Sequence, residues 1–212
     1  MVYYNEDGYT GFKSCQNGKH KRRENGVGEF LDGKYVACGG RGLTELTDCV
    51  VIDEFGSKTF DMTSNGRTYA SYVKLDNSTI WITGGQDSMY QALSSTEFVT
   101  VNGSKAGPNL PFAIQEHCMV QYKEDAILLI GGSRYYSPSK ETWIIDLASL
   151  NTFSVYGFGK LKLTEGPTLN QGKVDLSCGK MKDKYGNILI IAAGKSTVEV
   201  LNTTLMNEWV EG

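Results

Sequence analysis

Few residues in this chain could do chemistry. There are two histidines, His20 and His117, and five cysteines, Cys15, Cys38, Cys49, Cys118 and Cys178. Glu116-His117-Cys118 sets an acid, a base and a thiol in succession, the inventory of nucleophilic catalysis when imidazole and thiol can exchange a proton. The surrounding pattern reads as a β-strand, where neighbours point to opposite faces, so His117 and Cys118 do not share a proton. No Cys-x-x-Cys pair marks a zinc or redox site. Gly39-Gly40-Arg41-Gly42 and Gly157-Phe158-Gly159 precede no helical pattern whose amides would cradle a phosphate. The chain reads as a noncatalytic protein with neither metal nor cofactor.

The elements that position these residues repeat. Tyr35-Val36-Ala37-Cys38-Gly39-Gly40 recurs as Ile80-Trp81-Ile82-Thr83-Gly84-Gly85, as Leu128-Leu129-Ile130-Gly131-Gly132, and weakly as Ile190-Ile191-Ala192-Ala193-Gly194, with Ala193 in the first glycine position. The first glycines of the three clear doublets stand 45 and 47 residues apart, a period of propeller blades. Turn residues Gly33, Asn77, Asp125 and Asn187 precede each run, so each unit opens with a β-hairpin. A third strand rich in β-branched residues follows, at Asp48 to Ile52, Thr96 to Val101, Thr142 to Leu147 and Thr197 to Leu201. The end of the unit repeats as well: Gly107-Pro108-Asn109-Leu110 matches Gly166-Pro167-Thr168-Leu169. Glycine fits the doublets because a strand leaving a tight inter-blade contact needs positive φ or close backbone approach.

Over residues 26–212 the chain resembles the kelch-repeat family, whose unit carries a hydrophobic strand ending in a double glycine and a tryptophan in its fourth strand. Trp209 fills the tryptophan position, Leu163 and Ser104 stand there in the two preceding units, and Phe55 or Phe60 is expected there in the first. The resemblance implies an all-β, kelch-type β-propeller of about four four-stranded antiparallel blades, at roughly 26–64, 65–112, 113–170 and 171–212. Six blades are usual in the family, so an incomplete ring is expected, with residues 1–25 a leader or the remnant of a preceding blade. The third unit is longest, and Asn151 to Leu161, with Phe153, Tyr156 and Phe158, should project as a loop, either a packed excursion or an aromatic contact patch. Kelch-related galactose oxidase builds a copper centre from histidine and tyrosine ligands, but two histidines cannot supply the several imidazoles that copper requires.

With 40% hydrophobic and 21% charged residues the chain can bury a core, and no apolar run is long enough to span a bilayer. A net charge of −3 gives no case for nucleic acid or anionic lipid. Cys38, ending a second strand, and Cys49, beginning a third, are either a disulfide or two buried thiols; Cys118 and Cys178 read as core. Asn77-Ser78-Thr79, Asn102-Gly103-Ser104 and Asn202-Thr203-Thr204 match the N-glycosylation pattern. With the candidate disulfide they point to an extracellular setting, while Met1 to Asp7 lacks the features of a signal peptide, which keeps a cytoplasmic one open. Lys19-His20-Lys21-Arg22-Arg23 reads as a solvated leader or as a basic address.

The resemblance implies that second-to-third-strand loops and inter-blade linkers share one rim, and binding is expected there because loops on a rigid scaffold carry function. These carry Arg41, Gln86, Asp87, Tyr90, Arg134, Tyr135, Tyr136 and Lys195, and arginine and tyrosine dominate interface energetics. Arg134-Tyr135-Tyr136 is the leading candidate, with Gly39, Gly40, Gly84, Gly85, Gly131, Gly132, Gly194 and Trp209 as structural positions. Arg67 and Lys173 are expected to be inter-blade structural partners. The resemblance implies a protein or peptide partner, with substrate recognition for a cullin-type ubiquitin ligase as the alternative and a galactose-oxidase-like enzyme as a disfavoured third reading.

Overall fold

In the computed structural model, the described residues are the backbone of 2–5 and 8–12 together with residues 22–64, 66–134, 137–150, 161–195 and 197–212. The chain is all-β. Strands β1 (Val2–Asn5) and β2 (Gly8–Phe12) pair as a hairpin. Four antiparallel four-stranded sheets follow, arranged as a four-bladed β-propeller.

The first blade comprises β3 (Val27–Leu31), β4 (Lys34–Cys38), β5 (Asp48–Asp53) and β6 (Gly56–Asp61). The second comprises β7 (Ser71–Lys74), β8 (Ile80–Thr83), β9 (Thr96–Thr100) and β10 (Gly103–Ala106). In the third, β11 (Cys118–Lys123) and β12 (Ala126–Ile130) are separated from β15 (Thr142–Asp146) and β16 (Leu163–Glu165) by a loop holding the short strands β13 (Ser133–Arg134) and β14 (Ser137–Pro138). The fourth comprises β17 (Ser177–Lys182), β18 (Ile188–Ala193), β19 (Val198–Asn202) and β20 (Trp209–Glu211). The projecting-loop expectation at Asn151 to Leu161 falls almost wholly outside the described residues.

The second strands of the middle two blades, β8 and β12, are buried on both faces, which is why they read as continuous apolar runs, whereas β4 and β18 alternate buried and half-buried positions. Side-chain alternation sorts each run between two neighbours. Ile80 and Ile82 pack against Val36, Cys38 and Val51 of the first blade, whereas Trp81 between them turns to Ile127 and Leu129 of the third. Leu128 and Ile130 of the third then meet Ile190 and Ala192 of the fourth. Three clusters therefore lie between successive blades. On the fourth blade's other face Val198 and Val210 remain exposed. The first strands of all four blades line a central cavity of about 650 Å³.

The glycine doublets set the distance between blades. The second glycine donates its N–H to a carbonyl of the next blade's incoming linker: Gly40 to Arg67 at 2.7 Å, Gly85 to Ile114 at 2.9 Å and Gly132 to Lys173 at 2.8 Å. Its own carbonyl accepts from the loop beyond, from Leu46, Leu93 and Ser139 respectively, each at 2.8 Å. The first glycine bonds within its blade, Gly39 to Asp48, Gly84 to Ser95 and Gly131 to Glu141. At Gly84, φ is +57° and an added Cβ would lie 2.3 Å from the Ile114 carbonyl oxygen.

The same bonds correct the register of the fourth unit. Gly194 donates to Thr197, and Ala193 pairs with Val198 as Cys38 pairs with Cys49. Gly194 therefore holds the first position of the doublet and Lys195 the second, one residue later than the weak repeat implies. Lys195 makes neither bond of a second glycine among the described residues.

The tryptophan position needs a correction too. Trp209 pairs with Leu201, Leu163 with Ile145 and Ser104 with Val99, and the matching residue of the first blade is Ser57, opposite Ile52. Phe55 is instead exposed in the β5–β6 turn, and Phe60 lies opposite Cys49. Trp209 is buried and donates its Nε1–H to the Pro167 carbonyl at 2.9 Å, tying the outer strand to the linker that enters its blade.

Cys38 and Cys49 form a disulfide across β4 and β5. Cys118 and Cys178, which the sequence presents as core thiols, form a second, joining the inner strands of the third and fourth blades with Cα atoms 6.0 Å apart. Cys118, opposite Ile130, and Cys178, opposite Ala192, stand one register position apart on adjacent inner strands, which brings cysteines 60 residues apart in sequence within bonding range.

Gly84→Val should lower the unfolding free energy by about 3 kcal/mol, since it combines an unfavourable left-handed backbone with a clash against backbone. Urea denaturation measures this, and an unchanged midpoint would refute the spacing role assigned to the doublet.

Candidate functional site

The rim is built on the second glycines. Each anchors the loop that follows it, so the loops begin and end at fixed points on the scaffold. In the first blade Arg41 leaves the doublet and pairs with Glu45 through Nε at 2.9 Å and Nη2 at 2.5 Å. In the second, the Asp87 carboxylate accepts the N–H groups of Met89 and Gln91, both at 2.9 Å, and winds the loop into a tight turn. Tyr90 sits at its apex with φ of +60°, a backbone region that a bulky residue seldom adopts.

That turn places the Tyr90 ring under the Arg41 guanidinium, 5.0 Å from carbon to centroid. The contact crosses from one blade to the next. Leu43 is fully exposed beside Arg41 in its loop, and Met89 (73% exposed) and Tyr90 (56% exposed) crown the adjoining one. The Glu45 partnership holds the Arg41 guanidinium above its ordinary pKa and the Glu45 carboxyl below its own. Leu43 and Met89 are not among the residues chosen from sequence. Their signal is present nonetheless, as large apolar side chains within polar loops.

The other expected rim residues are placed differently. Gln86 is buried and bridges to Thr68 and Ala92, so it belongs to the scaffold. Arg134 pairs with Glu141 and lies over the Phe112 ring at 4.2 Å, which commits its charge and its flat face to local packing. Tyr135 and Tyr136 fall outside the described residues. Lys195 is exposed, with Asp175 at 4.0 Å.

The mouth is a smaller cavity of about 150 Å³. Asn25, Tyr69, Glu116 and Asp175 line it, one from the start of each blade, and all four have positive φ, between +50° and +56°. Tyr69 donates to Asn25 and Glu116 to Tyr69 through backbone groups, which links successive blades around the axis. Burial raises the Glu116 carboxyl above its ordinary pKa, the Asp175 charge adds to the rise, and Lys195 opposes it.

His117 is buried between the second and third blades, its Nε2 2.8 Å from the Thr83 hydroxyl oxygen. Its role is inter-blade packing. Desolvation lowers its pKa to about 3. Cys118, its neighbour, is engaged in the disulfide.

Below the rim the linkers are fixed by buried charge. Arg67 donates through Nη1 to Gly84 O (2.8 Å) and Ser95 O (2.9 Å), with Glu97 3.9 Å from Nη2. Glu97 in turn accepts from the Thr63 amide at 2.5 Å and from the Ser64 hydroxyl. In the fourth blade Glu199 accepts from the Asn170 amide at 2.8 Å and pairs with Lys173 at 3.1 Å. Arg23 repeats the motif in the first blade, donating to Gly39 O and Asp48 O, so it is part of the scaffold and not of a solvated leader.

Among the described residues no group of three or more His, Cys, Asp or Glu side chains could hold a metal ion, and no helix is long and apolar enough to cross a membrane. No family model matches the chain, and no curated protein matches it.

The buried imidazole makes a pH prediction. The unfolded histidine takes up a proton near pH 6.5 while the folded one stays neutral to about pH 3, so stability is retained above pH 6.5 and falls with acid. Between pH 7 and pH 5, above the range where most carboxylates titrate, the loss should be about 2 kcal/mol. Denaturation across that range should show the slope in the wild type and its disappearance in His117→Gln.

Proposed function

We propose that this chain is a kelch-type propeller acting as a noncatalytic protein-binding module, with its recognition surface on the loops of the first two blades. The observation that carries the reading is the Arg41–Tyr90 stack on loops that also expose Leu43 and Met89. Exposed apolar groups gathered around an arginine and an aromatic ring are the composition of an interface centre. The kelch assignment rests on the doublets, on Trp209 in the outer strand and on the four-stranded blades.

The loops are also held in shape before any partner arrives. Leu46 and Leu93 close them onto Gly40 and Gly85, and Asp87 fixes the turn that raises Tyr90. Little ordering entropy is then spent on association. The surface suits an extended or loop segment that sets an apolar side chain beside Leu43 and Met89 and offers a carbonyl or carboxylate to Arg41.

A displayed peptide library selected on the immobilised chain tests this. Selected peptides should bind the double variant Arg41→Ala, Tyr90→Ala at least tenfold more weakly, corresponding to a loss of more than about 1.4 kcal/mol, with its melting temperature unchanged. Arg134→Ala should do the reverse, lowering the melting temperature and sparing binding. Peptides indifferent to Arg41 and Tyr90 would refute the reading.

A further inference from the structure

The three Asn-x-Ser/Thr patterns take no part in the rim, and the fold shows where they go. In a four-stranded meander the turns after the first and third strands lie at one end of the blade, and the second-to-third loops and linkers lie at the other. Asn77 is in the β7–β8 turn, Asn102 in the β9–β10 turn, and Asn202 at the end of β19 before the turn to β20. All three fall on the face opposite the rim.

We propose that Asn77 and Asn102 are N-glycosylation sites and that the propeller carries its sugars on the hairpin face, away from the Arg41–Tyr90 surface. Both asparagines are exposed, and neither side-chain amide has a hydrogen-bond partner among the described residues. Both are presented by ordered turns. The Asn77 carbonyl accepts from the Asp32 amide of the neighbouring blade at 2.9 Å, and the Asn102 amide donates to Thr100 Oγ1 at 3.2 Å. The backbone is thereby fixed while the side chain projects into solvent.

Asn202 differs. It is half-buried, its Oδ1 accepts from the Thr204 amide at 2.9 Å, and the residue between them, Thr203, is buried and bonded to Ile188. A branched sugar has no comparable access there.

The disulfides Cys38–Cys49 and Cys118–Cys178 supply an independent line. Such bonds form and persist in oxidising compartments, where asparagine-linked sugars are also added. In the transfer, Nδ2 of each asparagine bonds to C1 of a lipid-pyrophosphate-linked oligosaccharide. The C1–O bond to pyrophosphate breaks, the lipid pyrophosphate leaves with the electron pair, and Nδ2 releases one proton. Nothing is oxidised or reduced.

The full chain, directed into the secretory pathway of a eukaryotic cell by an added signal sequence, provides the test. Treatment of the secreted, non-reduced protein with peptide N-glycosidase should remove two sugar chains and leave aspartate at positions 77 and 102, with asparagine intact at 202, as read by peptide mass spectrometry. Asn77→Gln and Asn102→Gln should each remove one chain. Should either glutamine variant fail to be secreted, Thr79→Ala and Ser104→Ala abolish the same acceptor patterns while keeping the asparagine. Unmodified asparagine at 77 or 102 in secreted wild-type protein overturns the assignment for that site, and sugar at 202 alone overturns the proposal.

Discussion

The propeller depends on one residue in each of its first three blades that faces two ways. Gly40, Gly85 and Gly132 each give an N–H to the linker of the next blade and a carbonyl to the rim loop of their own. A single such bond is worth about 1 kcal/mol net, far less than the apolar burial between blades. Its importance is geometric. While bonded to the next blade, the same residue lies so close to the linker entering its own blade that a Cβ at Gly85 would sit 2.7 Å from the Thr68 carbonyl oxygen and one at Gly132 the same distance from the Gln115 carbonyl oxygen. Blade spacing and loop shape are consequently set at one point, and neither can change without the other.

Charge secures the linkers that accept those bonds, although not in every blade. The carbonyls bonded by the second glycines belong to Arg67, Ile114 and Lys173. Two of these are cations paired with a buried glutamate, and one is an isoleucine. In the third blade the position of Glu97 and Glu199 on the third strand is held by Trp143, as the strand registers require. A buried ion pair and an apolar substitute of similar bulk are near neutral in net stability, so the alternation is no surprise energetically. What the glutamates contribute is placement. Glu97 gathers the Thr63 and Ser64 groups of an incoming linker, and Glu199 those of Asn170 and Gln171. The third blade places its linker by packing, with Phe112 against Trp143 at 5.2 Å.

Much of this architecture can be read from the chain alone, for definite reasons. Strand periodicity and the doublets are enforced by backbone geometry at each repeat, so they recur in the sequence. The register slip in the fourth unit arose because Ala193 and Gly194 imitate a doublet by composition, whereas the bond from Gly194 to Thr197 is visible only in three dimensions. Cys118 and Cys178 were misread for a related reason: similar positions in successive units imply similar environments, but not that two adjacent inner strands turn both side chains towards each other. The left-handed residues Asn25, Tyr69, Glu116 and Asp175 share no residue type. Their common feature is a place two residues after the linker's Arg23, Arg67, Ile114 and Lys173, a spacing that becomes legible only once those four are known to be equivalent. At the site, Arg41 and Tyr90 could be chosen by type, but type alone could not separate them from Gln86 and Arg134, which the scaffold consumes.

An even number of strands per blade gives the molecule two unlike ends. Linkers and second-to-third loops collect at one end, where the dual-facing glycines and the left-handed residues hold them. At the other end the first, second and fourth blades carry short hairpin turns, and the third carries the longer connection from β15 to β16. The fourth blade shows what the glycine adds: with Lys195 in its place, β18 passes to β19 through a turn closed by Gly194 and Thr197, and no extended rim loop forms. The rim is therefore uneven, tall over the first three blades and low over the fourth.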